Sequence, residues 1–165
     1  PALSPEAKAL AQKNLLSKTV NDLVESLEVM SVSKGIHISI HSDLAEQPRW
    51  LYPSMTQMVL GNILRNALNY SQGSQIDIIQ QKNSLIIADN GIGISLPNDV
   101  KVQELSDSQL SLKAKGHGIG LQLVQKLCKQ LGWRVELFDR QYYLTTHPEL
   151  DLEPTTGLIV VVYLS

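Results

Sequence analysis

Apolar residues recur at helical spacing in three segments of the chain. The first segment follows Ser4-Pro5-Glu6, which is typical of a helix start, and its periodicity continues to Met30 before Gly35 marks a stop. A second helix is predicted over residues 54–70, with Ser54 as its N-cap. A third is predicted over residues 118–131, where Leu and Ile side chains share one face.

Other segments have the pattern of β-strands. Residues 36–42 alternate strictly between apolar and polar, and residues 75–81 and 84–89 resemble two strands joined by a short turn. Residues 133–138 and the β-branched run 158–164 complete the set. Because helices and strands do not alternate regularly, we expect an α+β two-layer sandwich, with a mixed sheet and the helices packed on one face.

The segments between these elements suggest how the chain is organised. Residues 91–115 are polar and lack periodicity, which predicts a long loop of the kind that serves as a functional lid. Residues 141–156 are predicted to be irregular. We divide the chain into an N-terminal helix, residues 1–30, and a main domain, residues 31–165.

Composition narrows the functional classes. Hydrophobic residues make up 43% of the chain and charged residues 18%, which favours a globular domain over a disordered one. A net charge of −2 gives no support for a nucleic-acid partner. Cys128 is the only cysteine, so no intrachain disulfide forms, and no apolar run reaches the roughly 20 residues of a membrane helix.

The predicted helix over residues 54–70 carries a stripe of asparagines. Asn62, Asn66, Asn69 and Tyr70 share one face, beside an apolar face. Asparagine is a mediocre helix former, so its repetition on one face of this helix needs an explanation. A side-chain amide oxygen suits a hard cation such as Mg²⁺, and the alternative interpretation is a solvated polar face.

Two glycine motifs follow along the chain. Asp89-Asn90-Gly91-Ile92-Gly93 comes directly after a predicted strand, where a carboxylate can accept from an exocyclic amine and glycines let the backbone approach a ligand. A hairpin turn is the alternative interpretation. The segment from Lys115 to Leu121 contains Gly116, Gly118 and Gly120 and opens a helix, an arrangement that binds anions, although a flexible hinge has the same composition.

Taken in this order, the three motifs resemble the GHKL ATPase superfamily and, within it, the catalytic domain of bacterial sensor histidine kinases. Residues 62–70 resemble the family's N box, residues 89–93 its first glycine box and residues 116–120 its second. Thr155-Thr156-Gly157 is similar to the closing Thr/Gly segment. The resemblance covers roughly residues 20 to 165 and implies the Bergerat fold.

The resemblance also implies a role for each matching residue toward ATP and Mg²⁺. Asn66 would coordinate the metal, Asn62 would support the metal or a phosphate, and Tyr70 would pack against the adenine or ribose. Asp89 would hold the adenine amino group beside Gly91 and Gly93. The remaining residues of the implied site would wrap or flank the phosphates, with residues 94–115 as the ATP lid: Lys113, Lys115, Gly116, Gly118, Gly120, Leu121 and Thr156.

The implied activity is transfer of the γ-phosphoryl group to a histidine on a separate domain. Hydrolytic members of the superfamily carry a glutamate four residues before the metal asparagine; this chain has Asn62 there, which favours a kinase. The implied partners are ATP, the histidine-bearing dimerisation domain, of which residues 1–30 would be the tail, and indirectly a response regulator. The implied location is the cytoplasm, with anchorage of the whole protein in the inner membrane left open.

Three departures from the family pattern keep alternatives open. Asn69 stands where these kinases often have Lys or Arg, and the lid contains no Phe. None of the four histidines lies in a phosphoacceptor motif. A serine kinase of the anti-sigma-factor type and a degenerate module that acts by protein binding are therefore the competing hypotheses.

Overall fold

The computed structural model describes residues 12–42, 46–93 and 118–164. Within these ranges the strands are β1 Gln12–Asn14, β2 His37–His41, β3 Arg49–Leu51, β4 Gln75–Gln80, β5 Ser84–Asp89, β6 Arg134–Asp139 and β7 Leu158–Tyr163. The helices are α1 Leu16–Ser26, α2 Glu28–Lys34, α3 Pro53–Tyr70, α4 Gly118–Leu131 and α5 Arg140–Thr146, followed by a 3₁₀ turn, Pro148–Leu150.

Five of the strands form one mixed sheet in the order β2-β4-β5-β7-β6. β2 is parallel to β4, and the other neighbouring pairs are antiparallel. β1 and β3 form a separate antiparallel pair. The mixed sheet predicted from the sequence is confirmed, and β4 and β5 pair as the hairpin that residues 75–89 predicted.

The main hydrophobic core lies between the sheet and helices α1, α3 and α4. Successive strand residues point to opposite faces, so Leu85 and Ile87 of β5 lie on the helix side beside Val160 of β7. Helix α3 contributes the apolar face that the sequence predicted: Leu60, Ile63, Leu64, Ala67 and Leu68. This packing fixes α3 across the end of β5.

The opposite face of the sheet has its own smaller core. Tyr143 and Leu144 of α5 pack there against Ile86, Ala88 and Ile159. Helices α1, α3 and α4 pack on one face of the sheet as the sequence predicted. The prediction that residues 141–156 are irregular is wrong, because most of α5 lies in this segment and covers the opposite face. Seven residues are too few for a clear helical period, whereas the N-cap, in which the Asp139 carboxylate accepts from Tyr142 N–H at 3.0 Å, is a local signal that was missed.

The N-terminal segment also differs from the prediction. Residues 12–14 are a strand rather than part of a continuous helix, because they pair with β3, a partner 35 or more residues away that periodicity cannot reveal. Helix α1 begins at Leu16, Leu27 separates it from α2, and the predicted stop is confirmed at Gly35, which has a φ of 67°.

Helix α3 begins one residue earlier than predicted. Pro53 occupies its first turn and Tyr52 is the N-cap, so Ser54 is not the cap. Proline suits this position because its missing N–H would have had no helical partner. None of the helices in the described ranges has the length and apolar content needed to cross a lipid bilayer.

Candidate functional site

Asp89 ends β5 in the middle of the sheet, with 3% of its surface exposed. Its Oδ1 accepts hydrogen bonds from the backbone N–H of Gly91 at 3.0 Å and of Leu158 at 3.2 Å. These two bonds join the loop after β5 to the start of β7. They also fix the direction of the carboxylate, because both donors belong to the backbone.

The protonation of Asp89 reflects this burial. Removal from water raises the pKa of its carboxyl above the usual value, since the charged form loses hydration. The N–H groups of Gly91 and Leu158 and the positive charge of Arg140 oppose the rise without cancelling it. A buried carboxylate with a raised pKa at the end of a strand is a frequent mark of a functional site.

The loop of residues 89–93 is held against the end of α3. The Asn90 Oδ1 accepts from the N–H groups of Ser74 and Gln75 at 2.9 and 3.0 Å, and Ile92 N–H donates to the Ser71 carbonyl at 2.7 Å. A Cβ on Gly91 would stand 2.0 Å from that same carbonyl oxygen. Asn90 and Gly91 therefore serve a tight packing contact and not a hairpin turn.

The closing segment before β7 meets this loop from the other side. Thr156 Oγ1 donates to the Gly91 carbonyl at 2.9 Å. Gly93 has a φ of 70°, and a Cβ there would stand 3.0 Å from the Gly157 carbonyl oxygen. The structure thus brings Gly91, Gly93 and Thr156 together with Asp89, four of the residues that the sequence motifs singled out.

A narrow cavity lies between α3, α4 and the sheet. It contains three predicted site residues, Asn66, Asp89 and Leu121, and its other walls are apolar: Ile63, Ala67, Ile87, Leu158 and Val160. Its volume is about 10 Å³, room for at most about one water molecule. An apolar slot with an amide and a carboxylate at its edge offers a few fixed polar contacts to a flat ligand.

Two other site residues that the sequence predicted on α3, Asn62 and Tyr70, are not among the described residues that line this cavity. Asn62 is half-buried, and its Nδ2 donates to the Met58 carbonyl one turn earlier at 2.6 Å. Tyr70 is 44% exposed at the end of the helix. Gly118 and Gly120 lie in the first turn of α4, whereas residues 94–117, which contain the predicted lid and Lys113, Lys115 and Gly116, lie outside the described residues.

The structure adds one residue that the sequence motifs missed. Arg140 is 3% exposed, and its Nη1 donates to the Asp89 carbonyl at 3.0 Å. Burial lowers the pKa of this guanidinium, and the carboxylates of Asp77, Asp89 and Glu153 oppose that change. Nothing in the segment around Arg140 resembles a known motif, so only the tertiary structure could identify it.

Within the described ranges no cluster of three or more His, Cys, Asp or Glu side chains is suited to binding a metal ion. The half-buried amide of Asn66 is a neutral oxygen ligand at the edge of the cavity. A Mg²⁺ ion would fit here only with most of its ligands supplied by phosphate oxygens and water, which is its usual preference.

Comparisons with known proteins agree with this geometry. The family described as histidine kinase-, DNA gyrase B-, and HSP90-like ATPase matches residues 53–165. The sensor protein QseC of Escherichia coli K12 is 28% identical over 125 residues, which cover 75% of this chain and 27% of QseC. The chain thus spans about a quarter of the length of this curated relative.

Solved structures show the same fold. The catalytic domain of histidine kinase ThkA has a TM-score of 0.64 at 13% identity, over 93% of this chain and 95% of that one. Full-length ShkA in complex with AMPPNP has a TM-score of 0.69 at 15% identity, over 92% of this chain and 30% of that one. The family match extends over more than half of the sequence and contains Asp89, Asn66 and the closing segment. The chain therefore belongs to the family of histidine kinase-, DNA gyrase B- and HSP90-like ATPases.

Proposed function

We propose that this chain is the ATP-binding catalytic domain of a two-component sensor histidine kinase, which transfers the γ-phosphoryl group of ATP to a histidine on a separate domain. The observation that carries the proposal is the buried Asp89 carboxylate at the edge of an apolar slot, with Asn66 beside it. QseC is a sensor protein and ThkA a histidine kinase, which supports this choice of activity within the family.

Asp89 is suited to bind the exocyclic amine of adenine. The backbone N–H groups of Gly91 and Leu158 both donate to Oδ1, so Oδ2 is the oxygen that can accept from a base in the slot. Ile87 and Val160 supply apolar contact with the ring. A purine needs more room than about 10 Å³, so the cavity would have to widen for the base to bind.

The metal role is assigned to Asn66 alone. A Mg²⁺ ion bound with the nucleotide would neutralise phosphate charge during transfer. Asn66 would orient it through the amide oxygen, and Gly118 and Gly120 at the start of α4 would leave backbone N–H groups free for phosphate oxygens. The phosphate roles of Lys113, Lys115 and Gly116 and the role of Tyr70 at the ribose remain parts of this proposal.

The chain lacks the base that hydrolysis needs at the position where ATPases of the superfamily carry it. That position is Asn62, whose amide has no basic group and is bonded to its own helix. Because no carboxylate at this position activates water, hydrolysis of the bound nucleotide is slow. The histidine imidazole of a partner domain is a stronger nucleophile than water and accepts the γ-phosphoryl group instead. The dimerisation domain that carries it, a response regulator downstream and a cytoplasmic location complete the proposal.

The test begins with a calorimetric titration of the chain with a non-hydrolysable ATP analogue, with and without Mg²⁺. We expect metal-dependent binding in the parent and a large loss in Asp89→Ala. Phosphotransfer from ATP to an isolated histidine-bearing domain is then measured. Vigorous ATP hydrolysis by the chain alone, or rapid phosphorylation of a serine on a partner protein, would reject the histidine kinase assignment. No nucleotide binding at all would favour the degenerate module.

A further inference from the structure

Arg140 is a charged side chain placed where charge is costly. It begins α5, and only 3% of it reaches solvent. A buried guanidinium is retained only when its donors and its charge are matched. The contacts that match it here therefore indicate what the residue does.

Those contacts join three separate segments. The guanidinium donates through Nη1 to the Asp89 carbonyl and through Nε to the Glu153 carbonyl, each at 3.0 Å. The backbone N–H of Arg140 donates to the Gly157 carbonyl at 3.0 Å. One residue thus ties the end of β5 to both ends of the segment that precedes β7.

Gly157 makes this arrangement sterically feasible. Its φ is 149°, and a Cβ there would stand 2.0 Å from the Asp89 carbonyl oxygen and 3.2 Å from Cδ of Arg140. Any other residue would separate the guanidinium from Asp89. The close approach is therefore a built feature of the site and not an incidental surface contact.

Arg140 and the side chain of Asp89 lie on opposite faces of the sheet. Asp89 lines the cavity on the helix side, whereas Arg140 continues the row of β6 residues that faces α5. The arginine therefore holds the main chain of Asp89 from the α5 side of the sheet. The carboxylate stays accessible to a ligand in the cavity on the other side. The positive charge of Arg140 also lies near enough to Asp89 to favour the ionised carboxylate.

We propose that Arg140 is a positioning residue for base recognition, which holds the Asp89 main chain so that the carboxylate meets the amino group of adenine. The proposal rests on the proposed function, since it presumes that Asp89 receives the base. It assigns a nucleotide-selectivity role to a residue that touches no part of the nucleotide.

The test compares two nucleotides in the full chain. Calorimetry gives the affinity for a non-hydrolysable ATP analogue and for the same analogue with purine in place of adenine, which lacks the 6-amino group. In Arg140→Met we expect the preference for adenine over purine to fall roughly tenfold, the value of one charge-assisted hydrogen bond, with affinity for the purine analogue nearly unchanged. Arg140→Lys keeps the charge and should lose less selectivity.

Arg134→Met is the matched control. Arg134 lies on the same face of β6, but it pairs with Glu136 at 3.2 Å and stacks over Tyr163, with no contact to Asp89. We expect this variant to keep the selectivity of the parent. A purely structural role for Arg140 would lower the affinities for both nucleotides in proportion, and unchanged selectivity in Arg140→Met would overturn the proposal.

Two further outcomes are distinguishable. If the parent chain itself does not prefer adenine over purine, the proposed function fails and Arg140 is not the cause. If Arg140→Met does not fold, as judged by circular dichroism, Arg140→Lys decides the question. Arginine bonds the two carbonyls through two separate nitrogens, whereas all the donors of lysine lie on one terminal nitrogen, which cannot reach the carbonyls of Asp89 and Glu153 together. Selectivity must therefore fall by several-fold if the positioning role is correct and stay at the parent value if it is not.

Discussion

Asp89 is a carboxylate in a site that water hardly reaches, and its surroundings set both its direction and its charge. Burial raises its pKa, while two N–H donors and Arg140 favour the ionised form. An ionised carboxylate accepts at both oxygens, so Oδ2 can accept from an amine while Oδ1 accepts from the backbone, whereas protonation turns one oxygen into a donor. Protonation of this single residue should therefore be visible in nucleotide binding.

We predict that ATP affinity falls as the pH is lowered through the raised pKa of Asp89, with a slope approaching about tenfold per pH unit. Calorimetric titrations from near-neutral to mildly acidic pH measure this slope. Asp89→Asn is the control, because the phosphates of ATP titrate equally in both proteins. The same slope in parent and variant would show that Asp89 does not contribute.

The effect on folding stability has the opposite sign. A raised pKa in the folded state means that the fold binds the proton of Asp89 more tightly than the unfolded chain. This contribution to stability is complete below the unfolded pKa and is lost as the pH rises through the folded one. Nucleotide binding therefore requires the ionised carboxylate of Asp89, which burial makes less favourable in the free protein.

Asn66 and Asn62 lie one turn apart on α3, and their environments differ. Asn66 borders the cavity beside Asp89, whereas the Asn62 amide is bonded to the Met58 carbonyl. We predict that Asn66→Ala removes most of the Mg²⁺ dependence of ATP-analogue binding and of phosphotransfer, and that Asn62→Ala has a clearly smaller effect. Paired titrations with and without the metal measure both.

A larger effect of Asn62→Ala than of Asn66→Ala would change the assignment of the metal ligand. Retention of metal-dependent binding in Asn66→Ala would remove this residue from the metal role. A larger loss in Asn62→Ala would mean that its bond to Met58 is exchanged for a ligand contact when the nucleotide binds.

Among the elements, the loop of residues 89–93 depends on its closeness to the end of α3. We predict that Gly91→Ala destabilises the fold by about 1–3 kcal/mol, because its Cβ would stand 2.0 Å from the Ser71 carbonyl and the loop would have to shift. ATP affinity should fall as well, since the N–H of Gly91 orients Asp89. Urea unfolding and calorimetry measure the two effects.

Gly35→Ala separates steric overlap from backbone strain. Gly35 has a φ of 67°, but a Cβ there meets no atom within 4 Å. The expected cost is about 1–2 kcal/mol from the left-handed conformation alone, without any change in ATP affinity. A similar loss of affinity in both variants would contradict the specific role of Gly91.

At the scale of the whole molecule, the N-terminal helix shares its core with the catalytic sheet. Leu16, Val20, Leu23 and Leu27 belong to the same buried cluster as the strands. We predict that the fragment of residues 31–165 is not stably folded, because these four side chains contribute about 1.5–3 kcal/mol each, against a typical total of about 5–15 kcal/mol. Circular dichroism and thermal melting of the fragment test this.

The same experiment tests the division at residue 30 that the sequence suggested. A cooperative melt of the fragment near that of the full chain would support a domain that begins at residue 31. Val20→Ala and Val29→Ala offer a matched pair with less disruption: Val20 is 2% exposed and Val29 is 84% exposed. Only the first should lower the free energy of unfolding.

The strength of local signals explains which elements could be predicted. The long helices α3 and α4 have several turns of apolar periodicity, β5 has a short apolar run and β7 has a run of β-branched residues, so the identities of these elements were clear within a residue or two. β1, β3 and α5 have three to seven residues each, and they exist because of partners distant in the chain. A window of neighbouring residues does not contain that information.

The sequence by itself determined the mixed sheet, the two long helices beside it and the strand end and glycine turn that contain Asp89, Gly91 and Gly93, because strand ends and glycine turns leave local signatures. The contact of Thr156 with Gly91, 65 residues away in the chain, comes from the tertiary structure. Only the tertiary structure decided that α5 covers the second face, that Asn62 turns back to its own helix and that Arg140 lies behind Asp89. Arg140 and Asp89 are 51 residues apart. Contacts of that kind depend on the register of β6, β7 and β5 across the sheet, which forms only when the whole chain is folded.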